Sequence, residues 1–384
     1  MFPGYTGVWE QQNVGDIATI VGGGTPATTH SEYWNGTIDW YAPAEITNQR
    51  YVSHSQRQIT QLGLEKSSAQ LLPAHKTVLF TSRAGIGKMA ILQHEAATNQ
   101  GFQSLVLHDD IDPYFIYSMN AILKKKAEKI AAGSTFLEIS GSHLAHIRIT
   151  IPSLSEQKQI GSFCNHLDGL INLHQRQTQT LKKLKQGLLQ KMFPQDGESV
   201  PRLRFPGFTD TWEQEEMQDI CHYSKTHSEG NRFIGVEDLR QEFAGVNFDK
   251  NRRGNGITYQ QGDTLMSNIR PYLKKTWLAD CDGVCSSDVL VFSPDTVAPD
   301  YLHRIISSEH FVSSVMSSAK GSKMPRGDKY QMMKMKVMIP SLSEQKQIGS
   351  FFRTLDDLIH LHKQYVTTLI HLKKGLLQTM FPQD

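Results

Sequence analysis

The segment Ala84-Gly85-Ile86-Gly87-Lys88-Met89 comes nearest to a catalytic signature in this chain, because glycines followed by a lysine can cradle phosphates. The spacing does not fit. The first glycine of a phosphate loop would fall on Ser82, and Met89, not Ser or Thr, follows the lysine. Gly22-Gly23-Gly24-Thr25-Pro26 lacks the spaced glycines and the following helix of a dinucleotide site. Cys281 and Cys285 have the spacing of half a metal site, but no second Cys or His pair follows, so no metal is expected. No Asn-Pro-Pro-Tyr, Gly-x-Ser-x-Gly or His-Glu-x-x-His tetrad or pentad occurs. Asp168 and Asp356 stand at matched positions of a repeat and read as solvated carboxylates. What remains is positive charge. Lys124, Lys125, Lys126 and Lys129 face only Glu128, and Lys320, Lys323, Arg326, Lys329, Lys334 and Lys336 face only Asp328. Residues 319–330 (AKGSKMPRGDKY) interleave glycine and serine with the cations, which suits a loop that approaches a polyanion backbone closely. The chemistry within reach is binding rather than bond-making.

The elements that position these residues are set by a repeat. Residues 151–196 recur at 339–384 with about two-thirds of positions identical, and FPGYTGVWEQ at 2–11 recurs as FPGFTDTWEQ at 205–214. Between them, 12–150 and 215–338 share little, so two duplicated segments frame two diverged inserts. The repeated segment reads as a helix from about Glu156 to Met192, roughly 55 Å long at 1.5 Å per residue, with Ser155 and Ser343 as caps after Pro152 and Pro340. Its apolar positions alternate by three and four: Ile160, Phe163, Leu167, Leu170, His174, Gln177, Leu181, Leu184 and Leu188. The second copy repeats them as Ile348, Phe351, Leu355, Leu358, His362, Tyr365, Leu369, Leu372 and Leu376. Two such seams predict an antiparallel coiled-coil pair with a pseudo-two-fold axis near His174 and His362, which act as polar register residues.

The inserts mix strand and helix patterns. Ile17–Val21, Thr77–Thr81, Met89–Leu92 and Ser104–Leu107 read as strands and Tyr114–Ala131 as a helix; Asp263–Ser267, Val289–Phe292 and Pro299–Ser317 follow likewise. The expected fold class is mixed α/β, with two α/β domains (1–150 and 205–338), a helix at 151–196, a linker at 197–204 and a second helix at 339–384. A chain of 384 residues supports two cores, and 39% hydrophobic with 20% charged residues is a soluble composition. The opening Met-Phe-Pro-Gly-Tyr-Thr lacks the basic and apolar regions of a signal peptide, which points to the cytoplasm. A net charge of +2 neither demands nor excludes nucleic acid.

Taken together, LRFPGFTDTWEQ (203–214), LFTSRAGIGKMAIL (79–92), STFLEISGSHLAHIRITIPSLSEQKQIGSF (134–163) and GDTLMSNIRPYLKK (262–275) resemble the specificity subunits of type I restriction-modification systems over essentially the whole chain. The resemblance implies that each insert is a target recognition domain reading one half of an asymmetric bipartite DNA site, and that the helices set the unread gap. It also implies partners: double-stranded DNA, two methyltransferase subunits and the restriction subunits. S-adenosylmethionine, ATP and the flipped adenine would belong to those partners, leaving this chain non-catalytic. Arg83 and Lys88, Arg270, Lys274 and Lys275 match family segments, and the loops at Ser134, Thr135 and at Lys320, Ser322, Lys323, Arg326 and Lys329 precede each terminal strand. All are candidate DNA contacts. The rival readings are a self-sufficient enzyme, for which no motif is found, and a DNA-binding or scaffolding protein of this architecture outside an active restriction complex.

Overall fold

The computed structural model describes residues 5–132, 137–194 and 197–381. The chain folds as two compact units, one running to His174 and completed by residues from Tyr365 onward, the other Gln175–Gln364.

In unit 1 the opening strand Glu10–Asn13 pairs antiparallel with Arg148–Ile151. A five-stranded sheet then runs in the order Ala18–Gly22, Gln103–Leu107, Thr77–Phe80, Met89–Leu92, Tyr51–Val52. Every residue of Thr77–Phe80 and Met89–Leu92 is buried, because successive side chains point to opposite faces and both faces are covered. Val78, Phe80, Met89 and Ile91 enter the core under the helices, whereas Leu79, Ala90 and Leu92 enter a second core on the other face. A smaller sheet orders Arg57–Ile59, Trp34–Tyr41 and Ala96–Thr98.

Unit 2 repeats the frame and four strands of the main sheet and changes the rest. Glu213–Glu216 pairs with Lys336–Ile339, and a sheet orders Cys221–Tyr223, Val289–Pro294, Thr264–Ser267, Thr276–Leu278. Its second sheet has four strands, His227–Gly230, Gly254–Tyr259, Gly283–Cys285 and Phe233–Ile234, in an arrangement unlike that of unit 1.

Each helix expected as one piece is two. Pro113–Ser118 is capped by the Asp112 carboxylate, which accepts from Phe115 N at 2.7 Å, and Asn120–Ile130 follows after a break at Met119. In unit 2 the Ser308 hydroxyl caps Glu309–Ser317 and separates it from Pro299–Ile306.

The long helices are Leu154–Met192 and Leu342–Met380. Both begin one residue before Ser155 and Ser343, so these are not the caps. Ser153 Oγ accepts from Glu156 N at 3.5 Å and Ser341 Oγ from Glu344 N at 3.4 Å. Gln157 ties the helix start to the domain, accepting from Asp112 N (3.0 Å) and donating to Pro152 O (2.9 Å). Gln345 does the same with Ala298 N (2.9 Å) and Pro340 O (2.8 Å). Glycine is required one turn on: a Cβ at Gly161 would lie 2.3 Å from Asp112 Oδ1, and one at Gly349 2.5 Å from Asp300 Cβ.

The helix seam differs from the expected one in every second row. Buried or half-buried positions run Ile160, Cys164, Leu167, Ile171, His174 in unit 1 and Thr178, Leu181, Lys185, Leu188, Met192 in unit 2. The second helix supplies Ile348, Phe352, Leu355, Ile359, His362 to unit 2 and Val366, Leu369, Lys373, Leu376, Met380 to unit 1. Ile160, Leu167, His174, Leu181 and Leu188 therefore stand in the seam, with Ile348, Leu355, His362, Leu369 and Leu376. Leu170, Leu184, Leu358, Tyr365 and Leu372 do not: they are exposed, while Phe163 and Phe351 are half-buried one row aside, and Gln177 yields to Thr178. An alternation of three and four fits two overlapping rows, and leucine in the outer row outweighs Cys, Thr and Lys in the inner one when residue type alone is read.

Asp168 and Asp356 are not solvated carboxylates. Lys373 Nζ lies 2.6 Å from Asp168 Oδ2 in unit 1, and Lys185 Nζ 2.5 Å from Asp356 Oδ1 in unit 2. Tyr114 Oη donates to Asp168 at 2.8 Å and Arg304 Nη1 to Asp356 at 2.6 Å. His174 stacks on Tyr365 with ring centroids 5.1 Å apart.

Candidate nucleic-acid interface

The loop between Thr77–Phe80 and Met89–Leu92 is a tight hairpin turn. Thr81 N donates to Lys88 O (3.0 Å), Lys88 N to Thr81 Oγ1 (2.9 Å), and Thr81 Oγ1 to Gly85 O (2.7 Å). Ala84, Gly85 and Gly87 all have positive φ, which explains the glycines without a phosphate cradle, since a strand and not a helix follows. The turn carries Arg83 and Lys88, both half-buried at the stem, and neither has an ion-pair partner among the described residues.

Unit 2 has a turn at the corresponding place, between Thr264–Ser267 and Thr276–Leu278, but builds it with the short helix Pro271–Leu273 and without glycine. Arg270 stands six residues after Thr264, as Arg83 stands six after Thr77. Arg270 and Lys274 adopt left-handed backbone, at φ 51° and 53°.

Beside each turn runs a second segment, bridged at Ala132↔Glu138 in unit 1 and at Lys320↔Arg326 in unit 2, positions 188 apart in both cases. Ile139 N donates to Ser82 O at 3.1 Å; in unit 2 Arg326 bridges Ile269, and Arg270 N donates to Pro325 O at 2.8 Å. Ser134 and Thr135 lie outside the described residues. Ser82 Oγ, Asn268 Oδ1 and Arg270 Nε, all in these turns, are buried without a hydrogen-bond partner. Such atoms are uncommon, since most buried polar groups in folded proteins are paired.

The structure separates the candidate cations by what already holds them. Lys274 Nζ sits between Glu309 (2.8 Å) and Glu242 (3.3 Å), whose carboxylates hold its pKa above the usual lysine range. Lys275 Nζ donates to Val236 O at 2.8 Å. Lys320 pairs with Asp328 at 2.8 Å and Arg326 with Asp288 at 2.5 Å, both on the surface. Ser322, Lys323 and Lys329 are exposed, and neither lysine has an ion-pair partner among the described residues. In unit 1 Lys126 Nζ donates to Arg148 O at 2.8 Å and Lys124 faces Glu128 at 3.8 Å. Sequence reasoning passed over Tyr272, Met324 and Tyr330, exposed beside these cations in unit 2. No periodic pattern marks them, because they lie in loops.

Replacing Lys320, Lys323 and Lys329 together by alanine should leave the fold intact. Asp328 keeps its role as helix cap, accepting from Tyr330 N (3.0 Å) and Gln331 N (3.2 Å). Duplex binding should weaken, and the slope of log affinity against log salt should fall by up to about 0.9 for each phosphate no longer neutralised. Titrations at several salt concentrations read this directly, and an unchanged slope would assign the run to plain surface.

Residues 7–183 and 209–369 match the family profile described as the type I restriction modification DNA specificity domain, once in each half. The chain belongs to that family. Relatives among specificity subunits are similar at different reach. The type I restriction enzyme MjaIX specificity subunit of Methanocaldococcus jannaschii is 33% identical over 189 residues, 48% of this chain and 44% of that one. The EcoR124I/EcoR124II specificity subunit of Escherichia coli is 28% identical over 171 residues, 42% of each. These matches span less than half of either relative. The putative MjaX specificity subunit of M. jannaschii aligns over 97% of this chain and 92% of its own length at 23% identity. The fold is that of a type I restriction-modification S subunit from M. genitalium, with TM-score 0.67 at 13% identity over 100% of this chain and 99% of that one. Among the described residues no helix is long and apolar enough to cross a membrane.

Proposed function

We propose that this specificity-family chain reads an asymmetric, two-part DNA target, one half with each unit. The observation that carries the reading is that turns at corresponding places, around Arg83 and Arg270, and a flanking bridge 188 residues apart recur on one frame, in units whose second sheets differ. Cations common to both units suit phosphate positioning, and the divergent parts are left to tell bases apart. The long helices set the gap between the two half-sites.

In the same reading the chain assembles with two methyltransferase subunits, and with restriction subunits in the full nuclease, in the cytoplasm. S-adenosylmethionine and ATP are held by those partners. The exposed outer row of the helices supports two equal docking places: Leu170 and Leu372 in unit 1 correspond, 188 residues apart, to Leu358 and Leu184 in unit 2. Solvent-facing leucines at matched positions suit two copies of one partner.

The test is to map methylated adenines in cells that express this chain with methyltransferase subunits. One bipartite, non-palindromic motif with a fixed gap is expected, together with no methyl transfer by the isolated chain. A contiguous or palindromic motif, or robust S-adenosylmethionine-dependent methylation by the chain alone, would overturn the reading.

A further inference from the structure

Each unit places one lysine in a helix seam that is otherwise mostly apolar: Lys373 in unit 1 and Lys185 in unit 2, 188 residues apart. Each meets an aspartate of the other long helix, and both pairs are largely withdrawn from water. The side chains of Lys373 and Asp168 are 21% and 14% exposed, those of Lys185 and Asp356 17% and 36%. Burial pulls the Lys185 ammonium below the usual lysine range, and Asp356 opposes that pull.

We propose that these two pairs select the stagger of the long helices and so fix the length of DNA between the half-sites. The proposal rests on the ruler reading above and names the residues that calibrate it. Within the seam alone, apolar residues repeating every seven residues would still meet apolar residues after a slip of one heptad, although Met380 in the core of unit 1 and Met192 in that of unit 2 add to the cost of such a slip. The lysines would lose their partners. A slip in either direction sets Lys373 opposite Gly161 or Gln175, and Lys185 opposite Gly349 or Lys363. Lysine in the seam would then be buried without its carboxylate, which is strongly unfavourable. A polar residue at a seam position is the established device for choosing one register among several.

The variant that tests this is K185M/K373M in the full complex with methyltransferase subunits. It leaves the aspartates partnered, since Tyr114 still donates to Asp168 and Arg304 to Asp356. One heptad is about 10.5 Å of helix at 1.5 Å per residue, or about three base pairs at 3.4 Å each. The double variant should therefore methylate the same two half-sites at a second spacing, about three base pairs from the first, at least tenfold more often than the wild type. Methylation at the wild-type spacing alone, with an unchanged melting curve, would overturn the proposal. Should the double variant fail to fold, the charge swap decides. D168K alone should lose fixed-gap methylation and D168K/K373D should recover the wild-type gap; no recovery in a folded D168K/K373D complex counts against the pairs. Wild-type methylation without any fixed gap would instead refute the ruler reading itself.

Discussion

Arg204→Ala is expected to lower the melting temperature of unit 2 by about 6–12 °C. Arg204 makes a two-pronged contact with Glu344, Nε to Oε1 at 2.7 Å and Nη2 to Oε2 at 2.8 Å. The Glu344 side chain is 1% exposed and the Arg204 side chain 15%. Removing one partner of a buried pair strands the other charge, and the guanidinium's outer edge in water puts the cost near the low end, about 3 kcal/mol. Each kcal/mol corresponds to roughly 2–4 °C for a unit of this size. Glu344 opens the second long helix, so the loss should be felt where helix and domain join. Calorimetry of R204A beside R204A/E344Q separates the causes. The second variant should regain part of the loss, since a neutral amide is cheaper to bury than a carboxylate; equal losses in both would assign the effect to packing of the arginine stem.

Lengthening both long helices by four residues, after Gln177 and after Tyr365, should move the preferred gap by one or two base pairs and leave both half-sites unchanged. The two sites are equivalent in the repeat and lie between the lysine–aspartate pair of one unit and that of the other, so neither pair is broken. Four residues add about 6 Å and about 40° of rotation, and the seam absorbs the insertion as a local unwinding. Two base pairs add about 7 Å and about 70° of duplex turn. Rise and rotation therefore change together in the same sense. Exchanging residues 215–338 for the matching domain of a relative that keeps the helix contacts should change one half-site and not the gap. Mapping methylated adenines reads both experiments, and an insertion that altered the bases read would refute the division between ruler and reader.

The repeat made the frame legible in the sequence, because duplication shows which segments serve both halves alike. Strands such as Met89–Leu92 stand where their apolar run places them. Three things were hidden. The inner seam row carries Cys164, Thr178 and Lys185, whose burial depends on the domain and the aspartates that cover them, not on their own hydrophobicity. The break at Ser308 comes from a single capping contact and the one at Met119 from a residue without a side-chain cap, both inside otherwise helical patterns. The candidate interface was half visible: Arg83, Lys323 and Lys274 look alike as cations in loops, yet Lys274 is held by Glu242 and Glu309, which are distant in sequence.

Unit 1 is finished by residues synthesised long after the rest of it. Met380 and Phe381 fill its core beside Trp9, Phe115 and Cys164, and Tyr365 follows His174 by 191 positions (365 minus 174). At about 5–20 residues per second the ribosome needs roughly 10–40 s to cross that interval. During it the nascent first domain lacks Met380 and Phe381, which complete the core that holds Ile160 and Cys164. A chain cut short upstream of residue 365 therefore lacks part of the first unit's core, whereas the second unit, contiguous from Gln175 to Gln364, has all its parts as soon as it emerges.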